Sequence, residues 1–123
     1  MVDDMSRTEL REPAFWVLTS LTGGRRHGYA IIQAAAELSD GRTTLAVTTL
    51  YATLERLEQA GLVRGDGDEV VGGRLRRYFA ITDEGRQRLI DEAARLDAKL
   101  RVLRSRLSTP GVTGAPRTAG GAA

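Results

Sequence analysis

From Leu89 to Leu107 the positions Leu89, Ala93, Leu96, Leu100, Leu103 and Leu107 recur at intervals of 4, 3, 4, 3 and 4 residues. That is the seam of a heptad-patterned helix. Thr82 is a good N-cap, and Asp83 and Glu84 place acids in the first turn, so the spacing predicts one helix over 83–107. Such a helix is about 37 Å long, at 1.5 Å of rise per residue. A chain of 123 residues is too small to cover so long and narrow a stripe on its own. A second helix must lie on it. The economical solution is a homodimer; packing against the first helix of the same chain is the alternative, and both can hold for different parts of the stripe. Glu92, Asp97, Lys99 and Arg104 flank the seam and can set its register.

Composition narrows the chemistry. With no cysteine there is no disulfide framework, thiolate metal site or cysteine nucleophile, and a single histidine excludes a multi-histidine metal site. No metal and no cofactor is expected. The acidic N-terminus, MVDDMSRTEL, lacks an apolar core and no run is long enough to span a membrane, so a cytoplasmic location is expected. Net charge is only +2, although the pI is about 9.5. Its distribution is more informative: arginine clusters at Arg25-Arg26 and Arg74 to Arg77.

Ahead of the heptad helix the chain reads helix, helix, turn, helix, hairpin. Helix 1 starts near Arg11 or Glu12, with Pro13 tolerated in its first turn, and stops at Gly23-Gly24. Phe15, Trp16 and Leu18 cannot all face one small core, which points to a subunit contact or a tryptophan-rich local core. His27-Gly28-Tyr29 opens a second helix to Leu38, with Ile31, Ile32, Ala35 and Leu38 as its inner stripe. His27 is read as a structural, hydrogen-bonding residue, and Tyr29 as a core ring with its hydroxyl free for a phosphate. Thr43, Thr44 or Ala46-Val47 stands at the start of the next helix, with Thr44 a candidate N-cap.

That helix carries Leu50, Leu54 and Leu57 on one face and Thr48, Ala52, Arg56 and Gln59 on the other, with Thr49 and Thr53 on the shoulder; Gly61 caps it. Small and hydrogen-bonding side chains with one long cation suit close approach to a DNA major groove. Two strand-like runs follow, flanking a Gly65–Asp68 loop, which predicts a β-hairpin. In the second run Leu75, Arg77, Phe79 and Ile81 share one face, and Arg74, Arg76, Tyr78 and Ala80 the other. A hairpin directly after a recognition helix is a wing; its arginines either hold phosphates or keep an edge strand soluble.

These pieces together resemble the PadR family of transcriptional regulators. The resemblance is carried by His27-Gly28-Tyr29-Ala30-Ile31, Thr49-Leu50-Tyr51 with Leu54 and Arg56-Leu57-Glu58, Gly61-Leu62-Val63, Gly73 to Phe79, and Ile81-Thr82 with Gly85. It covers roughly residues 9 to 107. Two positions depart from the family pattern: Thr48 stands where glycine is usual, and Phe79 where tyrosine is common.

The resemblance implies a mainly α fold with a small β-hairpin (α+β): a winged helix-turn-helix with a long C-terminal dimerisation helix, of the subfamily with one short such helix. The expected organisation is a flexible arm at 1–8, the DNA-binding domain at 9–82, the dimerisation helix at 83–107 and a disordered tail at 108–123. It further implies repression at a palindromic operator on double-stranded DNA, and release by a small aromatic or lipophilic effector held between subunits. The DNA-binding residues are then Tyr29, Thr48, Thr49, Tyr51, Ala52, Arg56, Arg74 and Arg76. The dimer interface is Phe15, Trp16 and the seam from Leu89 to Leu107, with Phe15 and Trp16 as candidates to line an effector pocket. The competing class is a winged-helix adaptor that binds protein without DNA. An enzyme is not expected, because no catalytic constellation is present.

Overall fold

The computed structural model describes residues 10–108. The arm and tail expected at 1–8 and 108–123 lie outside these residues, except Ser108, which ends the last helix. The elements in order are helix α1 (Glu12–Ser20), a 3₁₀ turn (Leu21–Gly23), strand β1 (Arg26–His27), α2 (Gly28–Leu38), α3 (Val47–Gln59), β2 (Val63–Val71), β3 (Arg74–Ile81) and α4 (Asp83–Ser108). The fold is α+β, with four helices and a three-stranded antiparallel sheet of order β1-β3-β2. Two compact units divide between Ile90 and Asp91.

The core of the first unit forms where helical stripes converge. Ala14, Val17, Leu18 and Leu21 lie at i, i+3, i+4 and i+7 along α1 and its 3₁₀ extension, and all are buried. They meet Ile31 and Ala35 of α2, Leu50, Leu54 and Leu57 of α3, and Phe79 and Ile81 of β3. Each fully buried leucine contributes roughly 2 kcal/mol. Of the three large α1 residues, Leu18 alone is fully buried. Phe15 and Trp16 flank the core half-buried, edge to face at 4.9 Å, and the Trp16 indole N–H donates to Glu12 at 2.7 Å.

Four expectations are corrected. Leu38 is 54% exposed and the inner stripe of α2 uses Ala34 instead, because Leu38 belongs to the last turn, where the chain leaves the core. Tyr29 is 66% exposed, so its ring is not a core anchor; the first turn of α2 presents it outward. Of the three starts open for α3 the structure takes Ala46-Val47, so the N-cap is Ala46, with no side-chain cap, and not Thr44. Leu45 is buried and Val47 opens the helix, which leaves Thr44 too early to reach its amides. The hairpin turns at Gly72-Gly73, not at Gly65–Asp68. Both glycines have positive φ, 58° and 77°, and Val71 pairs with Arg74, as a two-residue primed turn requires. Residues 65–68 form instead a register shift within β2.

Both ends of the helix-turn-helix close in the same way. At the end of α3 the Leu62 amide donates to Leu57 and the Gly61 amide to Glu58, with Gly61 at φ 79°. This is a Schellman cap. At the end of α2 the Gly41 amide donates to Ala36 and Asp40 to Glu37, but here the left-handed residue is Asp40, at φ 57°. The Ser39 hydroxyl accepts from the Thr43 amide at 2.9 Å and so braces the turn. A left-handed aspartate carries a backbone cost that glycine does not. Asp40→Gly is therefore expected to raise stability by about 1 kcal/mol, read as a higher midpoint in chemical denaturation.

Candidate nucleic-acid interface

Helix α3 has two chemically distinct faces. Leu50, Thr53, Leu54 and Leu57 are buried, whereas Thr48, Thr49, Tyr51, Ala52, Arg56 and Gln59 are exposed. Thr53 departs from its expected place on the shoulder. It is 1% exposed, and its hydroxyl lacks a hydrogen-bond partner among the described residues. The rest of the predicted outer face stands free. Only Arg56 contributes a cation, in the last turn of the helix.

The start of α2 lies against the start of α3. Gly28 is buried, and a Cβ there would fall 2.4 Å from the Tyr51 hydroxyl and 3.3 Å from Leu50 Cδ2. Glycine is what lets the two helices approach with Tyr51 between them. His27 is the N-cap of α2: its Nδ1 accepts from the Ala30 amide at 3.4 Å, and its ring meets Tyr78 edge-on at 5.5 Å. Its expected structural role is what the geometry gives it. Tyr29, next in sequence, is exposed beside this contact.

The wing sets acids across the ladder from two of its arginines. Asp68 stands opposite Arg77 and Glu69 opposite Arg76, while Arg74, beside the turn, faces Val71. Opposite charges across a ladder contribute modestly to a hairpin, and here they place one negative charge near each of Arg76 and Arg77. Arg74 has no acid across the ladder. The Tyr78 hydroxyl donates to Glu69 at 2.6 Å. That hydrogen bond holds the phenol above its ordinary pKa, helped by desolvation and the Glu69 charge.

Both arginines of the Arg25-Arg26 cluster are engaged by the protein, Arg25 at the surface and Arg26 half-buried. Arg25 lies over the Tyr78 ring at 4.2 Å and donates to the Asp66 carbonyl at 2.8 Å, and Arg26 donates to the Ser20 carbonyl at 2.7 Å. Sequence reasoning missed strand β1, which pairs Arg26 with Phe79 and His27 with Tyr78. Two residues carry no period, so no pattern could reveal it. It also missed the acids opposite Arg76 and Arg77. The Gly72-Gly73 pair was the available signal, since placing the turn there sets the register.

The remaining predicted residues fall on α4 and α1. Leu89 is half-buried against the core of the first unit. In the second unit Ala93, Leu96, Leu100, Leu103 and Leu107 are all exposed, from 38% at Leu96 to 76% at Leu107 for the leucines. Glu92, expected on the flank of the seam, is buried and ion-paired with Arg95. Among the described residues no group of histidine and acidic side chains can hold a metal, and no helix is long and apolar enough to cross a membrane.

Known proteins give the same picture of the fold. A PadR family transcription regulator from Clostridium difficile superposes with a TM-score of 0.64 at 21% identity, over 80% of this chain and 100% of the other. A PadR family regulator from Eggerthella lenta gives 0.62 at 26% identity, over 80% and 86%. Bacillus subtilis PadR, solved in complex with operator DNA, gives 0.58 at 23% identity, over 66% of this chain and 46% of that longer one. No curated protein matches the chain. The sequence profile of the PadR-like transcriptional regulators matches residues 17–91, well over half of the chain, which therefore belongs to the PadR-like family of transcriptional regulators.

Proposed function

We propose that this protein is a homodimeric, sequence-specific DNA-binding repressor. Helix α3 enters the major groove with Thr48, Thr49 and Ala52 toward base edges, Ala52 against a thymine methyl. Arg56, Tyr29, Tyr51, Arg74 and Arg76 hold the phosphate backbone. The observation that carries this reading is the outer face of α3: it is exposed from Thr48 to Gln59, small or polar, and backed by a face that is wholly buried. The operator DNA bound by the B. subtilis protein of similar fold supports it.

Dimerisation rests on the four exposed leucines at heptad spacing in α4. Two copies pairing through them give two reading helices on one duplex, so the operator is a palindrome. Phe15 and Trp16 offer half-buried aromatic surface to a small aromatic or lipophilic effector. The deciding experiment is binding-site selection from random duplexes with purified protein, together with its mass by sedimentation. A two-fold symmetric site and a dimer mass are expected. A monomer at micromolar concentration, or failure of any duplex to be enriched, would sink the reading.

The wing makes a finer prediction. Arg74→Ala is expected to weaken binding to all sequences alike and to lower the salt slope by roughly one unit, the signature of one lost phosphate contact. Arg76→Ala changes the slope less, because Glu69 already faces Arg76 across the strand. Equal slopes in both variants and the wild type would remove the wing from the interface.

A further inference from the structure

The end of the recognition helix and the start of α4 are joined more tightly than an N-cap requires. The Thr82 hydroxyl accepts from the Gly85 amide at 3.0 Å, which is the cap itself. The same hydroxyl donates to the Gly61 carbonyl at 2.7 Å, and the Thr82 amide donates to the Leu62 carbonyl at 3.0 Å. Gly61 and Leu62 are the two residues that complete the Schellman cap of α3. Gly85 lets the backbones touch: a Cβ there would lie 2.3 Å from the Leu62 carbonyl oxygen. One side chain thus bonds the C-terminus of one helix and the N-terminus of another, and α4 runs on unbroken from Asp83 to Ser108.

We infer that Thr82 is a positioning residue that fixes the angle at which the first turns of α4, as far as Ile90, leave the recognition helix, and that the half-site spacing a pair of chains accepts depends on it. This rests on the dimeric reading above. If α4 carries the contact between copies, play at its root becomes play in the separation of the two reading helices. A half-site spacing is a geometric property of the dimer, and a loose joint blurs it.

Substitutions separate the cap from the latch. Thr82→Ser keeps both hydrogen bonds of the hydroxyl. Thr82→Asp still accepts from Gly85 but has no proton for the Gly61 carbonyl, so it caps α4 without the latch. Thr82→Val loses both. Full-length variants, each first shown by circular dichroism and sedimentation to be folded and dimeric, are titrated with duplexes carrying the selected palindrome, its halves moved apart or together in single base-pair steps.

Wild type and Thr82→Ser are expected to show a sharp optimum. In Thr82→Asp and Thr82→Val the affinity ratio between the best and the neighbouring spacing falls by about tenfold, or about 1.4 kcal/mol. Variants that weaken binding equally at every spacing and keep the optimum would overturn the positioning role while leaving the dimer intact. A wild type that shows no optimum would instead overturn the dimeric reading, and the inference with it.

Discussion

Gly85→Ala is expected to destabilise the protein by about 2 kcal/mol, although it places alanine inside a helix. Helix propensity alone favours the change by about 1 kcal/mol. The added Cβ would sit 2.3 Å from the Leu62 carbonyl oxygen and 2.7 Å from Ile81 Cγ1. The first of these is backbone and cannot rotate away, so the end of α3 and the start of α4 must move apart. Overpacking of this kind costs about 3 kcal/mol at the upper end of its usual range, which outweighs the propensity gain. Thermal unfolding should show a fall of roughly 10 °C. An unchanged or higher midpoint would mean that the two helix ends are not in contact. The position is informative because the two effects differ in sign.

Ala52→Glu is expected to reduce DNA affinity by about two orders of magnitude, roughly 2.7 kcal/mol, and to leave stability within about 0.5 kcal/mol. Ala52 is exposed at the centre of the outer face of α3, so the longer side chain meets no protein. Alanine and glutamate are both good helix formers, which keeps the folded protein unchanged. Against a duplex the carboxylate brings negative charge to a polyanion in a nearly desolvated groove, and like-charge contacts there cost several kcal/mol. Fluorescence titration with the selected operator, paired with a melting curve, separates the two quantities. Full affinity in a stably folded variant would take α3 out of the groove and favour a protein-binding adaptor.

The elements with a long period were legible before any coordinates. The α3 stripe, the Gly61 stop, the Thr82 cap and the extent of α4 follow from spacings of three and four and from capping chemistry, which are local. Exposure of the α3 outer face was legible for the same reason, with Thr53 the exception. A position on the shoulder of a helix is assigned to core or solvent by whatever packs beside it, and the sequence does not say what that is. Tyr29 and Leu38 failed similarly. Both are large and apolar enough for a core, yet α2 meets its neighbours along Ile31, Ala34 and Ala35.

The sequence by itself determined which segments are helical, that Gly61 ends the recognition helix, and that a narrow leucine stripe runs beyond Ile90. These depend on propensity and period within a few residues. Only the tertiary structure decided that Arg25 reaches the Asp66 carbonyl of β2, and that Gly28 and Gly85 are gaps filled by Tyr51 and by the Leu62 carbonyl. Each of these joins residues more than twenty positions apart in the chain. A charge or a missing side chain acquires its meaning from the group placed against it, and that placement is a property of the packed fold.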